Sequence, residues 1–198
     1  MRIFITFVFL ATILTMSCST STVRYTHEEL RSFSPEIQQK IIKGEISTGM
    51  TPQQVRYSWH APKNVKTSQT KDGKIVEEWT YSYMGACPIT LQFSDARLQS
   101  IIMSDATKTS EIRFTKEEIK AYPPEIQQMI INAQVSTGMT PHQVRNAWGS
   151  PEGVSSYKHG EKNVEEWTYS SSALCRLSLI FLDGKVSGIV RTEGLSSK

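Results

Sequence analysis

The chain has 198 residues, 22 of them basic and 19 acidic, for a formal net charge of +3. The basic residues are scattered, which argues against a nucleic-acid groove. After residue 18 no apolar stretch reaches the length a membrane-spanning helix needs, about 18 residues.

Residues 1–18 follow the three-part plan of a secretory signal. Met1-Arg2 is a short basic start. An apolar run over 3–14 follows, interrupted by Thr6 and Thr12, and then Thr15-Met16-Ser17-Cys18. The run is too short to span a bilayer. A buried core helix is the alternative, but the position at the N-terminus favours export. The segment resembles a bacterial lipoprotein signal, in which Cys18 is acylated after cleavage and Ser17 is the small residue before it.

The rest of the chain is a tandem duplication. The heptapeptide VEEWTYS occurs twice, and 24–65 aligns with 113–154 without a gap, with more than half of the positions identical. After one deletion the remainder also aligns, placing Cys87 on Cys175, Leu91 on Leu179 and Phe93 on Phe181. The expected organisation is a first repeat over 24–103, a linker over 104–112, a second repeat over 113–191 and a tail over 192–198. Two copies with so long a period suit two small related domains, or one pseudo-symmetric domain, better than a solenoid.

Each repeat opens with helical signals. Thr26 to Glu29 and Thr115 to Glu118 are capping boxes, in which the Thr hydroxyl and the Glu carboxylate each satisfy an amide of the first turn. Pro35 and Pro124 suit the first turn of a second helix, whose Ile37, Ile41 and Ile42 are expected on one face. Thr51-Pro52 and Thr140-Pro141 open a third, with Gln54 and Gln143 completing the box; Pro62 and Pro151 follow its end.

The period then changes from 3.6 to 2. Asp72-Gly73 marks a hairpin, with His159-Gly160 near the equivalent place. In the strand after it Trp79 and Tyr81 share a face. The next strand aligns Cys87, Ile89, Leu91 and Phe93 on one face in the first repeat, and Cys175, Leu177, Leu179 and Phe181 in the second. A last strand is expected over 98–103 and 186–190. The fold class is therefore α+β, two tandem repeats in which short helices pack on one face of a small antiparallel sheet. The aromatic strand face reads as core. The alternative is an aromatic contact surface of Trp79, Tyr81, Tyr83, Trp167 and Tyr169.

Cys87 and Cys175 are a possible disulfide if the two sheets meet near a pseudo-two-fold axis. Two separate buried thiols are favoured, because both side chains point into their own cores.

No catalytic constellation is visible, and the reading is that of a non-enzyme. His27, His60, His142 and His159 are not equivalent between copies and have no metal-ligand spacing, so neither a metal nor any other cofactor is expected. Glu77-Glu78 and Glu165-Glu166 point to opposite sides of a strand and read as edge or solvent charges.

STGMTPQQVRYSWHAP and STGMTPHQVRNAWGSP, each followed by EEWTYS, resemble the SmpA/OmlA, or BamE-like, lipoprotein family. The tandem architecture is similar to that of beta-lactamase inhibitory protein. The resemblance implies helical segments on a small sheet, and an accessory role in outer-membrane protein assembly. The expected protein is a lipid-anchored interaction module of the bacterial envelope, at the outer membrane facing the periplasm, with envelope proteins as partners. The alternative is an exported inhibitor or ligand-binding protein that uses a joint concave sheet surface. Candidate contacts are Gly49, Met50, Gly138 and Met139, where a Met beside a Gly turn offers a soft apolar surface. Tyr57, which faces Asn146 in the alignment, and Tyr83 are further candidates. The competing reading is that Met50 and Met139 staple the third helix to the core.

Overall fold

The computed structural model describes residues 24–83, 86–103, 113–172 and 175–193, without the side chains of 83, 86, 87, 170–172 and 193. Cys18 and the linker over 104–112 lie outside the described residues. The first repeat runs α1 (His27–Arg31), α2 (Pro35–Ile42), β1 (Glu45–Ile46), α3 (Pro52–Trp59), β2 (Asn64–Gln69), β3 (Ile75–Tyr83), β4 (Ala86–Ser94) and β5 (Arg97–Met103). The second runs α4 (Lys116–Lys120), α5 (Pro124–Ile131), β6 (Gln134–Val135), α6 (Pro141–Trp148), β7 (Gly153–His159), β8 (Lys162–Ser172), β9 (Cys175–Leu182) and β10 (Lys185–Glu193). β10 continues past 191 because Thr192 and Glu193 still pair with Arg176 and Cys175. No helix among the described residues is long and apolar enough to cross a membrane.

The capping boxes expected at Thr26, Thr51, Thr115 and Thr140 all form. Ile42, expected on the face of Ile37 and Ile41, is exposed. The third helices end differently. Gly149 closes α6 at φ 84°, whereas His60 closes α3 at φ 66° and ψ −168°. That region of backbone space is essentially reserved for glycine and costs other residues about 1–3 kcal/mol. His60→Gly is therefore expected to raise the unfolding free energy by about 1 kcal/mol or more, read as a higher urea midpoint at constant slope.

The α+β class is as expected: two five-stranded antiparallel sheets carry six short helices among the described residues. The strand orders are β2-β3-β4-β5-β6 and β1-β10-β9-β8-β7. Each sheet thus ends on a two-residue strand from the other repeat. Glu45 and Ile46 lie opposite Val190 and Ile189, and Gln134 and Val135 opposite Ile102 and Ile101. Thr48 and Thr137, equivalent residues that follow the exchanged strands, touch through their hydroxyls. Equivalent residues meet only at a pseudo-two-fold axis, so this contact marks it. β4 and β9, also equivalent, approach one another.

The buried apolar residues of both repeats form one continuous core. In the first repeat Trp79 packs on Phe93 at 4.6 Å, and Trp59 meets Tyr81 edge-on at 5.5 Å. Trp167 with Phe181 at 4.7 Å and Trp148 with Tyr169 at 5.3 Å repeat this. The aromatic strand face is core, and the contact-surface alternative is corrected for Trp79, Tyr81, Trp167 and Tyr169, all buried. Burial also raises the Tyr81 and Tyr169 hydroxyl pKa values. These hydroxyls donate to the carbonyls of His60 and Gly149, at 3.0 Å each.

Glu77 and Glu165 are not solvent charges. They share the face of Trp79 and Trp167 and accept their indole N–H groups, at 2.7 and 3.0 Å. Arg56 and Arg145 stand over the same indoles, each 4.7 Å from the centroid. The buried indole on each strand thus ties the helix above it to the sheet through the arginine that covers it.

Where β1 meets β10, Glu45 lies across Gly188. A Cβ on Gly188 would stand 2.6 Å from Glu45 Cδ, well inside van der Waals contact. Gly188→Ala is expected to cost about 1–3 kcal/mol, the usual cost of overpacking, measured by urea unfolding.

Candidate groove on the second sheet

The helix α2 ends on β1, and β1 is bound to β10 of the other repeat. The exchange carries α2 over the second sheet, on the face away from the aromatic core. Lys40 Nζ donates to the Ser187 carbonyl at 2.9 Å. Between helix and sheet lies a groove of about 670 Å³. Its floor is Val164, Ile180 and Leu182, with Tyr157 at the sheet edge. Val164 sits opposite Leu182 on one side and Tyr157 on the other, which brings these side chains into one row. Tyr157 is 52 % exposed.

The charges on the walls differ in how far they are neutralised. Lys40 lies 3.5 Å from Glu45 and 3.9 Å from Glu36, and Ser187 Oγ also donates to Glu45 at 3.4 Å. The Lys40–Glu45 pair is mostly buried, so each partner needs the other. Lys43 and Lys162 also line the groove and form no ion pair among the described residues. His159 lies on the rim, and Gln39, Ser47, Thr48, Thr137 and Ser187 add uncharged polar groups. No three His, Cys, Asp or Glu side chains gather as a metal set among the described residues.

The first sheet has different residues at the equivalent positions. Gln92, Ser94 and Ser68 stand where the second has Ile180, Leu182 and Tyr157, and Met129 and Asn132 stand where α2 has Lys40 and Lys43. Gln92 is part of a hydrogen-bonded network, accepting from Ser100 at 3.0 Å and from Gln134 at 2.6 Å. The Lys162 equivalent, Lys74, is paired with Asp72 at 3.8 Å.

The contact candidates named from the sequence do not gather here. Met50 and Met139 are 1 % exposed and belong to the core, which corrects their reading as exposed soft contacts. They pack inward because the Gly beside each is tied to the sheet: Gly49 N–H donates to the Leu98 carbonyl at 2.7 Å, and Gly138 N–H to that of Val186 at 2.8 Å. Met139→Glu is accordingly expected to unfold the protein or cost more than about 4 kcal/mol, since it buries an unpaired charge. Circular dichroism under urea reads this; a normally folded variant would contradict the assignment.

Tyr57 is half-buried in the helical layer. Its hydroxyl donates to Glu29 at 2.9 Å, and its ring lies between Tyr25 and Phe33. It holds α1 to α3. Tyr83 lies in β3, with its side chain outside the described residues. Cys175 is disulfide-bonded, which corrects the reading of two separate thiols. The side chain of Cys87 lies outside the described residues.

No family model matches the chain, and no curated protein matches it. Among solved structures it is similar to a candidate beta-lactamase inhibitor protein from Streptococcus mutans, at 14 % identity over 79 % of this chain and 95 % of that one, with a TM-score of 0.29. It is also similar to an extracellular protein containing an SCP domain from Bacillus anthracis, at 11 % identity over 74 % of this chain and a TM-score of 0.24. This chain spans 44 % of that protein's length. At these scores neither similarity bears on what this chain binds.

Proposed function

We propose that this protein is an exported, lipid-anchored binding protein of the bacterial envelope, without catalytic activity, which takes a partner protein into the groove between α2 and the second sheet. The groove is the observation that carries the reading: an apolar floor left open beside cations that have no ion-pair partner among the described residues. Clefts with an apolar floor and a few convergent polar groups are the usual form of binding sites. The plan of residues 1–18 supports export, and Cys18 supports the anchor. Acyl chains contribute about 0.8 kcal/mol per buried CH₂, so several hold a protein firmly at a bilayer. The resemblance to SmpA/OmlA lipoproteins supports a role beside outer-membrane assembly or maintenance. The cleft form of the site supports the second reading, an exported inhibitor or ligand-binding protein.

The test is affinity capture from detergent-solubilised envelopes with the parent and with Ile180→Glu/Leu182→Glu, both checked for normal thermal unfolding. The parent should retain partners that the variant loses. Identical captured sets would exclude the groove. Intact mass of the membrane-extracted protein should show an acylated N-terminus at Cys18.

A further inference from the structure

We infer that the occupant of the groove is an extended, acidic segment of a partner protein carrying interspersed apolar side chains. This rests on the groove being the binding site. Four features of the lining select that chemistry over the alternatives.

The first is charge. Lys40 is satisfied by Glu45, Glu36 and the Ser187 carbonyl. Lys43 and Lys162 line the groove without an ion pair among the described residues, so an incoming carboxylate is the group that completes them. A basic segment would meet uncompensated like charge there.

The second is the floor. Val164, Ile180 and Leu182 form an apolar row that an aspartate- or glutamate-only segment would leave unused. Apolar side chains between the acidic ones cover it.

The third is the polar wall. Gln39, Ser47, Thr48, Thr137 and Ser187 line the same space. A peptide backbone offers amides and carbonyls to such groups. An acyl chain would desolvate them with nothing in return. The groove also opens at β7, which ends its sheet and, among the described residues, pairs with β8 alone. All of β7 is exposed, so its outer edge can hydrogen-bond an added strand.

The fourth is the difference between the repeats. The two sheets share their core residues but not these. Ile180 and Leu182 replace Gln92 and Ser94 on a face that the pleat directs away from the core. Folding does not require that change, since the first sheet forms with Gln92 and Ser94 in place.

The probe is a fluorescein-labelled peptide alternating aspartate with leucine, followed by fluorescence polarisation. Its counterpart with lysine for aspartate and sodium oleate serve as competitors. The acidic peptide should bind the parent, and raised salt should weaken it. Lys43→Glu/Lys162→Glu, both at the solvent side of the groove, should weaken it by about tenfold or more. Ile180→Gln/Leu182→Ser, which copies the first repeat, should abolish binding while leaving thermal unfolding near that of the parent. Tighter binding of the lysine peptide, displacement by oleate at equal or lower concentration, or no binding of the acidic peptide would each overturn the inference. The groove itself is tested separately by the envelope-capture comparison. Partners lost from Ile180→Glu/Leu182→Glu despite a silent acidic peptide would leave the groove as the site and remove only its acidic occupant. Unchanged capture together with a silent peptide would remove both.

Discussion

Replacing Cys175 with serine is expected to lower the unfolding free energy by about 4–5 kcal/mol, the chain-entropy value for a cross-link closing a loop of this length. Cys175 is disulfide-bonded, and the chain has three cysteines. Cys18 is the expected acylation site, which leaves Cys87. Cys87 stands near the start of β4 as Cys175 stands at the start of β9, and these two strands approach one another. Thr48 and Thr137 already show equivalent residues meeting at the pseudo-two-fold axis. We propose Cys87 as the partner of Cys175; a bridge between them would place a second such meeting on the same axis, join two repeats that are already interleaved and constrain the unfolded chain. Urea unfolding of the mature protein with and without reductant measures the effect. The reduced parent should coincide with Cys175→Ser. Peptide mapping after alkylation under non-reducing conditions should recover the two cysteines linked. Equal midpoints for parent and variant, or free thiols at both positions, would contradict the assignment.

The second large effect concerns the repeats themselves. The first repeat expressed alone over 24–103 is expected not to fold. Without the second repeat, β1 loses β10 and the edge of β5 loses β6. Ile46 and Val135, each fully buried, belong to the shared core and cross between repeats with these strands. Losing the packing of even two such residues costs about 2–5 kcal/mol each, against a total stability of about 5–15 kcal/mol for a domain. The isolated repeat should give a collapsed proton spectrum and no cooperative urea transition. Mixing it with the second repeat over 113–193 should restore both. A dispersed spectrum and a cooperative transition from either repeat alone would show that the exchanged strands are dispensable.

The local features were legible because each rests on a short sequence signal. The capping boxes at Thr26, Thr51, Thr115 and Thr140, the hairpin at Gly73, and the alternation that buries Ile89, Leu91 and Phe93 all formed as expected. What escaped is what joins one repeat to the other. β1 and β6 have two residues each, too few for any periodicity to register. The internal alignment itself suggested that each repeat closes its own sheet, and the exchange is invisible to it. Glu77 and Glu165 were misread because a charged residue on a core face is taken for an edge position until its indole partner is seen. Of the two readings of Met50 and Met139, packing into the core holds and the exposed contact does not, because Gly49 and Gly138 are bonded to the sheet.

The groove was half legible. In CRLSLIF, Ile180 stands on the face that alternation assigns to solvent, and Leu182 follows on the same face. An apolar pair there, where the first repeat has Gln92 and Ser94, is a readable sign that the two outer faces serve different ends. Its other wall could not be read, because α2 belongs to the opposite repeat and reaches the second sheet only through the exchanged strand.

The central claim is that the partner sits on the outer face of the second sheet and not on its counterpart in the first. Site-specific photo-crosslinking in intact cells tests it most directly, with the photoreactive residue placed once at Leu182 and once at Ser94. Leu182 should yield a discrete crosslinked envelope protein, and Ser94 should yield none. Crosslinks of equal intensity from both positions, or from Ser94 alone, would contradict the account.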